Sequence, residues 1–514
     1  MTGVAAPHKT TDATQTNPEF VKAMTLTDAT MLVAGSMIGS GIFIVSADIG
    51  RKLGSPGWLL VAWIVTGIIT LLGALAYGEL AAMFPRAGGQ YVFLRESMGS
   101  LMGFLYGWTL FVVIQTGTIA AVAVAFGRFL SVLWPSITPD LYSWFPRADV
   151  CSRLLGCTDP ANAIHLGLSP QRLVALVTIA ILTWINLRGV REGKLVQTTL
   201  TVIKTSALAL LILLGLTIGR NAQAIAANFG SGQFWGGVDI TGALIVAFGA
   251  ALVGSLFSSD AWNNVTFAAA EVKEPKRNLP LALVLGTGLV TLLYCMANVA
   301  YLNVLPFHGV ADGTTVAARG ITFATQDRVG TAALEAMFGS AGATIMAIAI
   351  LISTFGCNNG LILAGARVYY AMARDGLFFK RVGTLNARRV PAAGLIIQSV
   401  WTALLCLTGT YGQLLNYVIF AALVFYALTT IGLFVLRAKR PDAERPYKAF
   451  GYPVLPALYL VLTTVVMLLI LLSPSSRQDA FLGLALVVIG IPVYFVWRRV
   501  ETQAPPPPLG AYRP

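Results

Sequence analysis

From Leu59 to Leu75 the chain runs without a charged side chain, and Leu208 to Ile218 and Leu458 to Leu472 repeat the pattern. With their flanks these runs reach the roughly 18 residues that mark a bilayer-crossing helix. Composition agrees: over 514 residues, 56% are hydrophobic and 11% charged, and mean hydropathy is +0.74. That leaves too little charge to coat a soluble surface, where about 25% is usual. The three or four soluble domains otherwise expected for this length are excluded.

Twelve spans are read near 26–53, 57–84, 99–134, 170–187, 193–219, 238–271, 279–305, 340–373, 391–409, 412–438, 455–473 and 477–499. An even number puts both termini on one side. With the termini in the cytoplasm, that side carries 24 Lys and Arg and the other side 10, leaving Lys204 as the remaining one of 35. This is the positive-inside pattern, so the net charge of +13 reflects membrane orientation and not nucleic acid. Residues 1–23 have no apolar core, so no cleavable signal is expected and span 1 stays. The proline run Pro505 to Pro508 is read as an extended end.

The three histidines, His8, His165 and His308, fall in tails or loops, and no HExxH, GxSxG or GK[ST] phosphate loop occurs. Intramembrane acid-base or zinc chemistry is disfavoured, and no metal, cofactor or enzyme activity is expected. Cys295, Cys357 and Cys406 lie within spans and read as small packing residues. Cys151 and Cys157 lie in the loop between spans 3 and 4. They are either a disulfide, in an oxidising compartment, or two free thiols.

Chemistry is legible at two interruptions. Span 1 contains Gly35-Ser36-Met37-Ile38-Gly39-Ser40-Gly41, and three glycines in seven residues each weaken the helix by about 1 kcal/mol relative to alanine. Alone this could be a small-residue helix contact. Span 6 repeats the feature: Phe257-Ser258-Ser259-Asp260-Ala261-Trp262-Asn263-Asn264 sets polar residues inside an apolar run. Five spans separate the two starts, and five is odd, so the second set must run in the opposite direction. Broken helices at matching positions of inverted halves mark a transporter with a midplane site. At the span 1 break, free N–H groups near Gly39 suit a carboxylate. Carbonyls at the inner half, near Ser36, and at Phe257 suit an ammonium. A ligand bearing both groups is an α-amino acid.

These residues resemble the amino acid, polyamine and organocation (APC) superfamily, in particular bacterial relatives of the L-type amino acid transporters. The resemblance covers about residues 25–500 and rests on Gly35 to Phe43, Tyr77 to Gly89, Phe257 to Asn263 with Glu271 to Pro280, and Ala366-Arg367 with Ala373 to Gly376. It implies an all-α membrane fold of the leucine-transporter type. Residues 1–24 would be a cytosolic tail, 25–219 helices 1–5, 220–438 the inverted helices 6–10, 439–500 helices 11–12 outside the repeats, and 501–514 a Pro-rich cytosolic tail. It further implies that Ser36, Met37, Ile38, Gly39, Ser40 and Gly41 take the substrate carboxylate. Carbonyls of Met37, Phe257, Ser258 and Asp260 surround the amine, and Phe257 covers the site. A lysine at the Lys204 position tethers the broken span in place of sodium, so sodium independence is expected; the bland alternative is a snorkelling lysine.

The Asp260 carboxylate is read either as a cap for the second half of span 6 or as a cation-recognising charge as well. Glu79, Glu271 and Glu274 stand at cytoplasmic span ends near Arg86, Lys273, Lys276 and Arg277. They are solvated end charges or, for Glu79 and Glu271, parts of an ion-pair gate. Trp262 is read as packing, and the Asn264-Val-Thr266 glycosylation pattern as chance. The expected activity is secondary transport of an amino acid across the cytoplasmic (cell inner) membrane, by exchange or with protons. A polyamine or organic-cation transporter of the same fold is the alternative, and an ion channel a weaker one. Eukaryotic members join a heavy chain through a single cysteine in the loop between spans 3 and 4. The Cys151 and Cys157 pattern differs, so no obligatory partner subunit is expected.

Overall fold

The computed structural model describes residues 20–150, 164–230, 232–236, 238–407, 411–474 and 476–502. Cys151 and Cys157, and most of the two tails, lie outside them. In chain order the helices begin with α1 (Leu26–Met37), α2 (Val45–Leu53), α3 (Pro56–Met83), α4 (Gln90–Met98), α5 (Ser100–Thr109) and α6 (Gln115–Leu133). After a short ribbon of β1 (Ala148–Val150) and β2 (Ile164–Leu166) come α7 (Pro170–Leu187), α8 (Val190–Leu216) and α9 (Ala222–Phe229). Next in order are α10 (Gly242–Ser258), α11 (Asn264–Phe267), α12 (Pro275–Val304), α13 (Val316–Arg319) and α14 (Val329–Arg374). The chain closes with α15 (Ala392–Cys406), α16 (Tyr411–Lys439), α17 (Val454–Leu472) and α18 (Arg477–Thr502).

Among the described residues nine helices are long and apolar enough to cross a membrane, and α10 and α15 are shorter apolar helices. The region of the first expected span is divided between α1 and α2. The protein is an all-α, multi-pass membrane protein. The ribbon is the one strand pair that forms a sheet among the described residues, and it sits in a loop.

The helix starts follow local rules. Thr25 and Asp28 form a reciprocal capping box at α1. Ser55 and Ser169 cap α3 and α7, each with proline in the first turn. Between α5 and α6 the helix passes through a π turn, Leu110–Ile114. Of the carbonyls there, Phe111 accepts from Thr116 at 2.7 Å and Val112 from Trp401 at 3.0 Å. The eighth span, expected from 340, is preceded by a further helical segment: α14 runs from Val329, and Gly339, at φ 64°, kinks it.

Burial varies among the spans: the apolar window of Ser100–Leu133 is 78% buried, whereas those in α14, α17 and α18 are each 28% buried. Spans 1 and 6 run side by side in opposite directions. The Met24 N–H donates to the Glu271 carbonyl, a Cβ on Gly41 would strike Ser258, and one on Gly254 would touch Val45. Residue numbers rise along one span as they fall along the other.

Candidate functional site

The two helix breaks face each other at the centre of this pair. α1 ends at Met37, and the chain leaves helical hydrogen bonding before resuming as a 3-10 turn over Gly41–Phe43. α10 ends at Ser258, and Ala261 adopts φ 62°. The segment beyond it is shorter than the half-helix expected: one turn, α11, and a 3-10 turn, Ala269–Glu271. The Tyr294 hydroxyl, from α12, stitches the breaks together, lying 3.0 Å from the Met37 carbonyl oxygen and 3.1 Å from that of Ser258.

A narrow cavity lies between the breaks, lined by Ser36, Met37, Gly39, Ser40, Gly41, Phe257, Ser258 and Asp260 together with Thr118, Val122, Ala261 and Cys357. Of the residues expected to meet the ligand, Ile38 alone is not in the lining. Its carbonyl turns to Lys204 instead. The N–H groups of Gly39 and Gly41 take no backbone acceptor, so these donors stand at the break, as the carboxylate reading requires. Gly41 also serves the small-residue helix contact that the span 1 glycines suggested. A Cβ there would fall 2.0 Å from Ser258 Oγ and 3.0 Å from Ser258 Cα, so glycine lets the two breaks approach.

Lys204 is 1% exposed. Its ammonium donates to the carbonyls of Gly35 at 2.5 Å and Ile38 at 2.7 Å, with Ser353 of α14 at 3.4 Å. A snorkelling lysine would point its ammonium to an interface, so that reading is set aside. The Ser353 hydroxyl joins the same carbonyl cluster, 3.2 Å from Ile38 O and 3.1 Å from Gly39 O. The Cys357 thiol, read from sequence as packing, donates to the Ser36 carbonyl at 3.0 Å.

Asp260 borders three cavities: the one at the breaks, one towards Gln90, Gln115, Asn263 and Asn264, and one towards Thr70, Trp262 and Tyr459. Its carboxylate accepts from the Tyr426 hydroxyl at 2.5 Å. It also takes a hydrogen bond from the Ala261 backbone N–H, whereas Asn263, at the N-cap of α11, makes no side-chain cap. Tyr426 in turn packs with Trp262 and Tyr77. Trp262 is buried among these rings, and Asn264 and Thr266 are buried too, which suits no glycan.

The acidic residues expected at span ends are redistributed. Glu79 and Glu271 are 0% exposed, which overturns the solvated reading for both. Glu79 meets Arg437 at 2.6 Å and Arg445 at 3.2 Å, and accepts the Ala449 N–H at 2.7 Å. Glu271 pairs with Arg367 at 2.8 Å, both completely enclosed. Arg367, counted from sequence among cytoplasmic charges, is thus a second cation inside a spanning helix. The predicted neighbours bond elsewhere: Arg86 to Glu96 and Lys276 to Glu444. Glu274 is exposed beside Arg277. Sequence proximity favoured Arg86, whereas the true partners of Glu79 lie more than 350 residues away along the chain.

An antiparallel pair of broken membrane helices, held by a buried lysine and lined for a small polar ligand, defines the transporter class suggested by the sequence. Comparison with known proteins bears this out: the amino acid permease family matches residues 24–494, and the chain belongs to that family, within the APC superfamily. It is 32% identical over 477 residues to the human large neutral amino acids transporter small subunit 2, covering 92% of this chain and 80% of that protein. It is 29% identical over 480 residues to the mouse b(0,+)-type amino acid transporter 1, covering 93% and 88%. The mouse Asc-type amino acid transporter 1 is 30% identical over 484 residues, covering 93% and 82%. These proteins are transporters and not enzymes.

Proposed function

We propose that the chain is a sodium-independent secondary transporter that moves α-amino acids across the cell membrane by alternating access, by exchange or with protons, with both termini cytoplasmic. The observation that carries this reading is the convergence of two oppositely directed broken helices on one cavity. That cavity presents unpaired N–H groups of Gly39 and Gly41 on one side and Asp260 on the other. The carboxylate of the substrate sits at Ser36 to Gly41. Its ammonium sits near the carbonyls of Met37, Phe257 and Ser258 and near Asp260, and Phe257 closes the cavity. Lys204 supplies a fixed positive charge to carbonyls that would otherwise call for a cation, which favours sodium independence. Residues 25–219 and 220–438 act as the two inverted repeats. The Glu79 and Glu271 ion pairs belong to the cytoplasmic closure.

The chain acts without an obligatory second subunit, because Cys151 and Cys157 do not reproduce a single-cysteine attachment. The words "small subunit" in the name of one relative weigh against this part of the reading. Purified chain reconstituted alone into liposomes tests both: counterflow with labelled L-leucine, L-lysine and L-alanine should accumulate at least one of them, equally in sodium, potassium or choline. Accumulation of polyamines only would move the substrate class, and activity appearing only with a second subunit would reject independence.

A further inference from the structure

On the side of the bundle that holds the Glu271–Arg367 pair, the cations fall into two groups. Several are matched by acids: Arg86, Arg95 and Arg440 meet Glu96, and Arg437 and Arg445 meet Glu79. The other group gathers where α7 ends and the loop between α14 and α15 turns back. Residues 184–194 hold three Lys and Arg and residues 380–389 hold four, against one acid, Glu192. Arg188, Arg381, Arg388 and Arg389 are exposed and form no ion pair among the described residues. Such an excess repels itself unless an outside anion answers it.

Two of these arginines are fixed at the end of α7. Arg188, which follows the last residue of that helix, lays its guanidinium over the Trp184 indole, 3.7 Å from the ring centroid. It makes no side-chain hydrogen bond among the described residues. Arg388 donates from Nη1 to the Arg188 carbonyl at 3.1 Å, which caps α7 and leaves its other donors unclaimed among the described residues. The turn that carries Arg388 is held by Asn386, whose Oδ1 accepts the N–H groups of Arg388 at 2.9 Å and Val390 at 3.0 Å.

From these arginines α7 and α15 run side by side into the membrane region, joined by the Thr183 and Ser399 hydroxyls at 2.5 Å. Each turns an apolar stripe outward. Val177, Ile181 and Trp184 on α7, and Ile396, Val400 and Leu404 on α15, are all exposed at the spacing of one helix face. The α7 stripe leads into Arg188, four residues beyond Trp184. An apolar track that ends in uncompensated guanidiniums beside an interfacial tryptophan matches an amphiphile whose polar end is an anion. A free phosphate would use the cations alone, and a neutral lipid the stripes alone.

We propose that the adjoining ends of α7 and α15 bind an anionic phospholipid, with Arg188 and Arg388 on its phosphate and its acyl chains along the two stripes. Guanidinium suits this headgroup because its planar donors can pair with two phosphate oxygens at once. The site lies apart from the cavity at the helix breaks and rests on the membrane placement of α7, not on the transport reading.

Native mass spectrometry of the purified full-length chain in detergent tests this, with dioleoyl phosphatidylglycerol and dioleoyl phosphatidylcholine as the probes. Wild type should retain phosphatidylglycerol at least about tenfold more tightly than phosphatidylcholine. R188Q and R388Q should each unfold at the wild-type temperature and lose most of that preference. K276Q, which removes a cation already paired with Glu444, should keep it. No preference in wild type, or an unchanged preference in R188Q and R388Q, would overturn the site. An equal loss in K276Q would overturn it as diffuse charge, and displacement of the lipid by an equal concentration of glycerol phosphate would overturn it as a free phosphate site.

Discussion

Asp260 and Lys204 carry opposite charges within one buried region, and each is held by a different kind of partner. Asp260 keeps a hydrogen bond from Tyr426, so Asp260→Asn preserves an acceptor there and removes only the charge. Transport of lysine, arginine or ornithine should then fall relative to neutral amino acids by about 1.5–3 kcal/mol, read as the ratio of kcat/KM values in proteoliposomes. An equal loss for all substrates would make the residue structural. Lys204→Ala removes the donor that holds the Gly35 and Ile38 carbonyls, leaving those oxygens buried and underused. Transport should drop at least tenfold, and Lys204→Met, which keeps the volume, should not restore it. Restoration by methionine would show that packing alone matters. The identity of both residues was evident in the sequence because a charge at membrane depth is costly and therefore placed for a reason. Tyr294 and Tyr426 were not, since a tyrosine in an apolar helix reads the same whether its hydroxyl meets a carbonyl or a lipid interface.

At the level of elements, the two breaks were read from glycine and polar content, and the structure places them within a few residues of the positions expected. The extent of the second half of span 6 was not legible. The apolar run after Asn264 looks helical, yet it forms one turn before the chain bends to bring Glu271 onto Arg367. That pairing depends on a contact between residues 96 apart, which periodicity does not encode. The enclosed pair predicts a particular pattern of stability. Arg367→Met or Glu271→Gln alone leaves the partner without full compensation, and should destabilise the protein by about 3–5 kcal/mol. The double variant should recover much of that loss. Thermal unfolding of the four proteins in one detergent gives the cycle, and additive losses in the double variant would contradict the pairing.

Across the whole molecule, the helical membrane class and the family followed from apolar runs and four ordered motifs. Relative helix placement did not, because lipid-facing and core-facing apolar residues share a composition: Leu468 is 54% exposed whereas Leu433 is 0% exposed. The proposed function requires that the two charges of an amino acid backbone be recognised at once in the central cavity. This is measured most directly by competition in counterflow between an amino acid, its carboxamide and its decarboxylated amine, using one transported side chain throughout. Only the intact amino acid should compete strongly, with the amide and the amine each at least tenfold weaker. Equal competition by the amine would contradict the carboxylate site at Ser36 to Gly41, and with it the central claim.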